Sequence, residues 1–166
     1  MVELATLDLP GRVVRLRTAD PQDLPALVRL LADDQLGARR EHLDATTLPA
    51  YRAALDEITA DPAHLLVVAA VDQRIVGTLQ FSVLPGLARR GERRAQIEAV
   101  RVDAEFRGAR IGAAMVEWAV AEAGRRGCGL VQLTTHKSRH DAHRFYRRLG
   151  FDPMARRWEV HRYPEE

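Results

Sequence analysis

The chain has 166 residues, 46% of them hydrophobic and 29% charged, with a formal net charge of +2 at pH 7. That length suits one domain with a sizeable core, spanning residues 1–166, and so small a net charge speaks against a nucleic-acid partner. Cys128 is the one cysteine, which excludes an internal disulfide. With no charged-then-apolar leader and no apolar run near the ~18 residues of a membrane span, a cytoplasmic protein without membrane attachment is expected.

Residues 1–12 read as a loose lead-in ending at Pro10-Gly11. Apolar and basic side chains alternate over 13–17, which predicts a strand. Asp20 as N-cap and Pro21 at the first helical position open a helix, with Leu24, Leu27, Val28 and Leu31 as its apolar stripe. A second helix is predicted over 48–60, while 33–45 shows no clear period. The apolar run 64–71 turns at Asp72-Gln73 into 74–84, which makes a hairpin. After Pro85-Gly86 comes a basic loop, 87–93, and then a strand over 95–102. Residues 109–126 form a helix placing Ile111, Ala114, Met115, Trp118 and Ala121 on one face, closed by Gly127. A strand over 130–135, a short helix over 141–149 stopped by Gly150, and one or two strands over 154–163 complete the chain. The fold class is mixed α/β, with a central, mostly antiparallel sheet of six to seven strands flanked by about four helices.

The stretch 97–112 carries the most information. A strand of small and β-branched residues gives way to an Arg/Gly-rich turn that opens straight into a helix. The first N–H groups of a helix lack intrahelical partners and sit at the positive end of its dipole. They therefore form an anion site suited to phosphate. Gly108 and Gly112 allow close backbone approach, and Arg107 and Arg110 add charge. Neither a P-loop nor a Gly-x-Gly-x-x-Gly dinucleotide loop is present.

Three segments resemble the GNAT superfamily of acyl-CoA-dependent N-acyltransferases. They are Arg107-Gly108-Ala109-Arg110-Ile111-Gly112, the strand-like 127–135, and Ala142-His143-Arg144-Phe145-Tyr146-Arg147-Arg148-Leu149-Gly150-Phe151. The family's cofactor signature, Gln/Arg-x-x-Gly-x-Gly/Ala, is matched by Arg107 and Gly112, with Arg110 replacing the usual first Gly. Its second signature, Ala-x-x-Phe-Tyr-x-x-x-Gly-Phe, is complete. The close match covers about 94–152; the N-terminal half agrees only in its order of elements.

The resemblance implies acetyl-CoA as cosubstrate and an amine as acceptor. The main chain of Val100, Arg101 and Val102 is expected to pair with the pantetheine arm, one amide serving as donor to the thioester carbonyl. Residues 107–112 are expected to hold the phosphates. Arg139 stands where many members carry an Asn that contacts pantetheine; it either reaches a cofactor phosphate or sits in solvent.

Acetyl transfer to an amine needs a proton acceptor for the ammonium and a donor for the leaving thiolate. The resemblance makes Tyr146 the donor, the alternative being a half-buried tyrosine satisfied by backbone. Glu98, mid-strand among apolar neighbours, is the candidate base, with poor solvation expected to raise its pKa. The alternative is a solvated Glu facing an edge and pairing with Arg74 or Arg101. His136, His140 and His143 lack the supporting ligands of a metal site, so no metal is expected. Cys128 reads as a small buried residue. Arg89, Arg90, Arg93 and Arg94 either attract an acidic acceptor or form a solvated loop tip.

The sequence thus reads as a GNAT-fold N-acetyltransferase acting on a small-molecule primary amine by direct attack in a ternary complex. A protein lysine or N-terminus is the second acceptor class and an acyl-tRNA the third. A non-catalytic acyl-CoA sensor of the same fold is the rival from another class. A homodimer is compatible with the sequence without being required by it.

Overall fold

A computed structural model of the chain describes residues 1–33, 37–135 and 139–152. It divides into two compact units, residues 1–134 and residues 135–166. The strands expected over 154–163, Trp158 and His136 lie outside the described residues.

The first unit is built on a six-stranded sheet in the order β1-β2-β3-β4-β5-β6. Its strands are β1 (Glu3–Leu9), β2 (Arg12–Thr18), β3 (His64–Val71), β4 (Arg74–Leu84), β5 (Arg93–Val102) and β6 (Cys128–Leu133). All neighbours are antiparallel except β5 and β6, which run parallel. The expected loose lead-in is corrected here: β1 pairs with β2 through a turn in which Gly11 has φ +76. That turn needs a residue tolerant of the left-handed region. The β3–β4 hairpin turns through Asp72 in the same region, at φ 54.

Helices α1 (Leu24–Ala32) and α2 (Leu48–Ala60) pack on one face of the sheet, in a shared cluster with Val68 and Ile75. Asp20 begins this region as expected, its carboxylate accepting from the Gln22 N–H. The first turn is a 3-10 turn, Pro21–Asp23, that continues into α1. A single turn, α3 (Ala88–Gly91), precedes β5, with Arg89 and Arg90 both left-handed.

Helix α4 (Ile111–Arg125) covers the other face. Ile111, Ala114, Met115 and Trp118 are buried as the periodicity predicts, but Ala121 is exposed and Val116, Ala119 and Ala123 are buried. A methyl placed on Gly77 of β4 would lie 2.9 Å from Met115 Sδ and 3.1 Å from the Arg101 carbonyl oxygen. Glycine is what lets α4 approach the sheet there.

In the second unit, α5 (His140–Arg148) is stopped by Gly150 at φ +83. The Tyr146 ring makes edge contacts with Phe145 and Phe151, at 5.0 and 5.9 Å between centroids.

Candidate active site

Strand β5 carries two irregularities within five residues. Thr78 pairs with Arg101 and Gln80 with Glu98, so Leu79 alone faces both Ala99 and Val100. This is a β-bulge, which leaves an extra residue outside the ladder and re-aims the strand. Ala99 holds it at φ 51, a conformation a non-glycine residue rarely takes. Strain of this kind gathers at functional sites.

The second irregularity is the end of β6. Its ladder with β5 stops at Ile97, opposite Leu133. From Glu98 to Val102, β5 has no strand on that side among the described residues. Asp103 N–H donates to the Val76 carbonyl at 2.8 Å. The alternation of an antiparallel ladder therefore turns the Val102 peptide groups, and those of Val100, away from β4. Arg101 Nη1 donates to the Val100 carbonyl at 3.0 Å. The expected exposed edge is thus present at Val100 and Val102, with the Val100 carbonyl already covered by a guanidinium; it is corrected at Arg101, whose peptide groups face Thr78 of β4 in the ladder.

Beyond β5 the chain enters a 3-10 turn, Ala104–Phe106, and then the basic turn. Gly108 has φ +80 and Arg110, the N-cap of α4, has φ 63. Space around Gly108 is open, so its glycine serves conformation rather than packing. Two left-handed residues bracket Ala109 and deliver the chain to the first turn of α4, where the N–H groups of Ile111 and Gly112 have no intrahelical acceptor. The arginines are less available than the sequence suggests. Arg107 Nη2 donates to Asp33 Oδ2 at 2.7 Å and to the Asp33 carbonyl at 3.3 Å, and Arg110 lies 3.8 Å from Glu117.

Asp103, at the end of β5, anchors this turn. It is 4% exposed and receives Arg29 Nη1 of α1 at 2.8 Å, Arg74 Nη2 of β4 at 3.0 Å and the Glu105 N–H at 3.1 Å. The Arg29 hydrogen bond above all, with the Glu105 and Arg74 contacts, outweighs burial and holds its carboxyl down at about 2. The Arg12 and Arg74 guanidiniums lie over the Phe106 ring at 5.4 and 5.1 Å. Sequence reasoning missed Asp103 because Arg29 is 74 positions away and Arg74 is 29; an acid closing a strand just before an anion turn was the available signal.

Glu98 is exposed, which corrects the expectation of poor solvation. Its apolar neighbour Ile97 points to the opposite face and is buried there, as strand alternation requires. Register nevertheless places Glu98 usefully. It stands directly opposite Gln80, and paired residues share a face with Cβ atoms about 5 Å apart.

That face holds a cavity of about 150 Å³, which sequence reasoning did not foresee. Leucines of α1, Tyr51, Ala54 and Ile58 of α2, and Thr78, Gln80 and Ala99 of the sheet are among its walls. The Thr78 hydroxyl donates to the Val67 carbonyl at 2.8 Å, and the Tyr51 hydroxyl donates to Glu41 Oε2 at 2.7 Å. Burial first, and the Glu41 carboxylate second, push the Tyr51 hydroxyl up to about 12, so it stays neutral.

Tyr146 and Arg139 belong to the second unit, Tyr146 within α5 and Arg139 as its N-cap. Burial pushes the Cys128 thiol up despite Arg93 and Arg126 nearby, which suits an inert cysteine. Among the described residues no cluster of histidine, cysteine or carboxylate side chains could hold a metal. Arg89 pairs with Glu92 at 3.1 Å.

The model of the Acetyltransferase (GNAT) family matches residues 25–151, and the chain belongs to that family of acyl-group transferases. Among curated proteins, an aminoalkylphosphonate N-acetyltransferase of Salmonella typhimurium is 41% identical over 56 residues. That match spans 34% of this chain and 36% of the relative. Among solved structures, a transcriptional regulator from Bacillus halodurans superposes with a TM-score of 0.83 at 42% identity, covering 89% of this chain and 99% of the other. An aminoglycoside acetyltransferase from an uncultured soil metagenomic sample shares the fold at 21% identity, with a TM-score of 0.70 over 92% of this chain and 96% of its own.

Proposed function

We propose that this protein moves an acetyl group from acetyl-CoA to the primary amine of a small molecule, by direct attack in a ternary complex. The observation that carries the reading is the edge of β5, open from Glu98 to Val102 among the described residues and followed, after the 3-10 turn Ala104–Phe106, by the basic turn into α4. A long cosubstrate with a peptide-like arm and a pyrophosphate fits such a succession. The peptide groups of Val100 and Val102 would hold the arm, with Arg101 between them keeping its own in the ladder with β4. The turn Arg107, Gly108, Ala109, Arg110, Ile111 and Gly112 would hold the phosphates by main-chain N–H groups, with Arg107 joining once it leaves Asp33. When bound, acetyl-CoA supplies an already activated thioester carbonyl.

The chain's own residues then have three tasks. The cavity and the bulge hold the amine beside the open edge, and proximity of this kind contributes several kcal/mol. Glu98 takes the ammonium proton, through water, from the face it shares with Gln80. Exposed to solvent, it works as a relay through water. Tyr146, by resemblance to the family's Phe-Tyr motif, holds the proton destined for the sulfur.

Thiol release in the presence of amines tests this. Glu98→Gln should depress turnover most at low pH, where the amine is protonated, and least at high pH, where no base is needed. Equal activity of variant and parent at every pH would remove Glu98 from the reaction. The relative named as a transcriptional regulator favours a second reading, an acyl-CoA sensor without turnover. Acetyl-CoA binding without thiol release for any amine would select that one. A cytoplasmic setting and a homodimer remain parts of the proposal, tested by fractionation and by sedimentation.

A further inference from the structure

The cavity between α1, α2 and the sheet also constrains which amine is accepted. Among the described residues, its walls carry no Asp, Glu, Lys or Arg side chain. The Thr78 hydroxyl is spent on Val67 and the Tyr51 hydroxyl on Glu41. Those two hydroxyls keep acceptor capacity alone, and among the described wall side chains only the Gln80 amide can still donate. A polyhydroxylated amine placed here would lose its hydration and find few partners, weakening binding by about tenfold for each group left unpaired. A phosphonate would meet no cation among these described walls. An apolar cavity of about 150 Å³ is the size that stays dry and takes a six-carbon ring.

The cavity's position decides what its occupant is for. Ala99, the strained bulge residue, forms part of the wall, and Glu98 stands in register with the wall residue Gln80. A group seated here has its free end beside the proposed base and the start of the open edge. We infer that the acceptor is a primary amine on a compact apolar body of about six to eight carbons, alkyl or aryl, whose body fills this cavity. The inference rests on the proposed transferase reading for its chemistry, but the binding step stands apart from turnover. It separates this chain from what the names of the Salmonella relative and the soil acetyltransferase say of those proteins.

The test uses the full chain with saturating acetyl-CoA and calorimetric titration of phenethylamine, glucosamine and aminoethylphosphonate. Ala54, an exposed residue of α2 that lines the cavity, is changed to Phe to fill it without disturbing the buried core. Phenethylamine should bind the parent, and Ala54→Phe should weaken it at least tenfold while acetyl-CoA affinity stays unchanged. Across linear amines from two to six carbons, affinity should rise about fourfold per methylene. Preference for glucosamine or aminoethylphosphonate over phenethylamine would overturn the inference, and so would phenethylamine binding that Ala54→Phe leaves intact. Thiol release separates the two readings. Turnover of polar amines alone defeats the apolar acceptor and keeps the transferase. Cavity binding of phenethylamine without turnover of any amine defeats the transferase and keeps the apolar site.

Discussion

Replacing Asp103 by Asn keeps the side chain's volume and its ability to accept from the Glu105 N–H, and removes only the charge. The carboxyl is held at about 2 against an ordinary 3.8, by Arg29 first and then by the Glu105 N–H and Arg74. At about 1.36 kcal/mol per unit, that corresponds to at most about 2.5 kcal/mol of folding stability. Both guanidiniums are about half exposed, so solvent screening brings the expected loss to about 1–2 kcal/mol. For a chain of this length it lowers Tm by about 3–6 °C. The pH dependence identifies the cause. A depressed carboxyl contributes fully above its unfolded pKa, and the contribution fades as pH falls from about 4 through about 2. Urea unfolding of parent and variant at pH 7, 5 and 3 should therefore give a constant gap at the first two values and about half of it at pH 3. A gap independent of pH would refute the electrostatic reasoning and assign the loss to packing. A gap below about 0.3 kcal/mol would mean that the arginines are equally well served by water.

Tyr146→Phe should lower kcat by about 10²-fold or more and leave acetyl-CoA affinity unchanged; undiminished turnover would return Tyr146 to a packing role beside Phe145 and Phe151. Asp33→Asn releases Arg107 from its exposed partner and should tighten acetyl-CoA about two- to fivefold at low salt, with the gain fading as salt rises. Weaker binding would show instead that the pair shapes the turn. Ala99→Gly should raise stability by about 0.5–1 kcal/mol because φ 51 suits glycine, whereas Ala99→Val should lower it by at least about 1 kcal/mol. Equal stability of the two variants in thermal unfolding would mean that the bulge relaxes at no cost.

What the sequence made legible was whatever is written locally. The Asp20-Pro21 start, the span 48–60 of α2, the hairpin at Asp72 and the stops at Gly127 and Gly150 each follow from a few adjacent residues. The turn into α4 was readable for the same reason, since its two glycines and its helix lie next to one another. β1 escaped because both of its faces are partly exposed and a register shift between Glu3 and Ala5 breaks its alternation. The bulge escaped because alanine does not advertise a left-handed backbone. Glu98 was misjudged in its solvation because neighbours in sequence are on opposite faces in a strand. The Asp103 cluster and the cavity join residues from distant elements, and no local pattern encodes them.

The early end of β6 bears on how this protein can change. An edge made of peptide groups offers donors and acceptors that depend on side chains only where one folds back on it, as Arg101 does on the Val100 carbonyl, so on the proposed reading drift at Val100 and Val102 would have little leverage over cosubstrate recognition. On the proposed reading, the walls contributed by α1 and α2 meet the acceptor through side chains, and replacements there would reshape its space. Substrate choice and cosubstrate choice would then be written in separate alphabets. A lineage could exchange one amine for another by editing two helices, and keep its acyl donor without selecting for it.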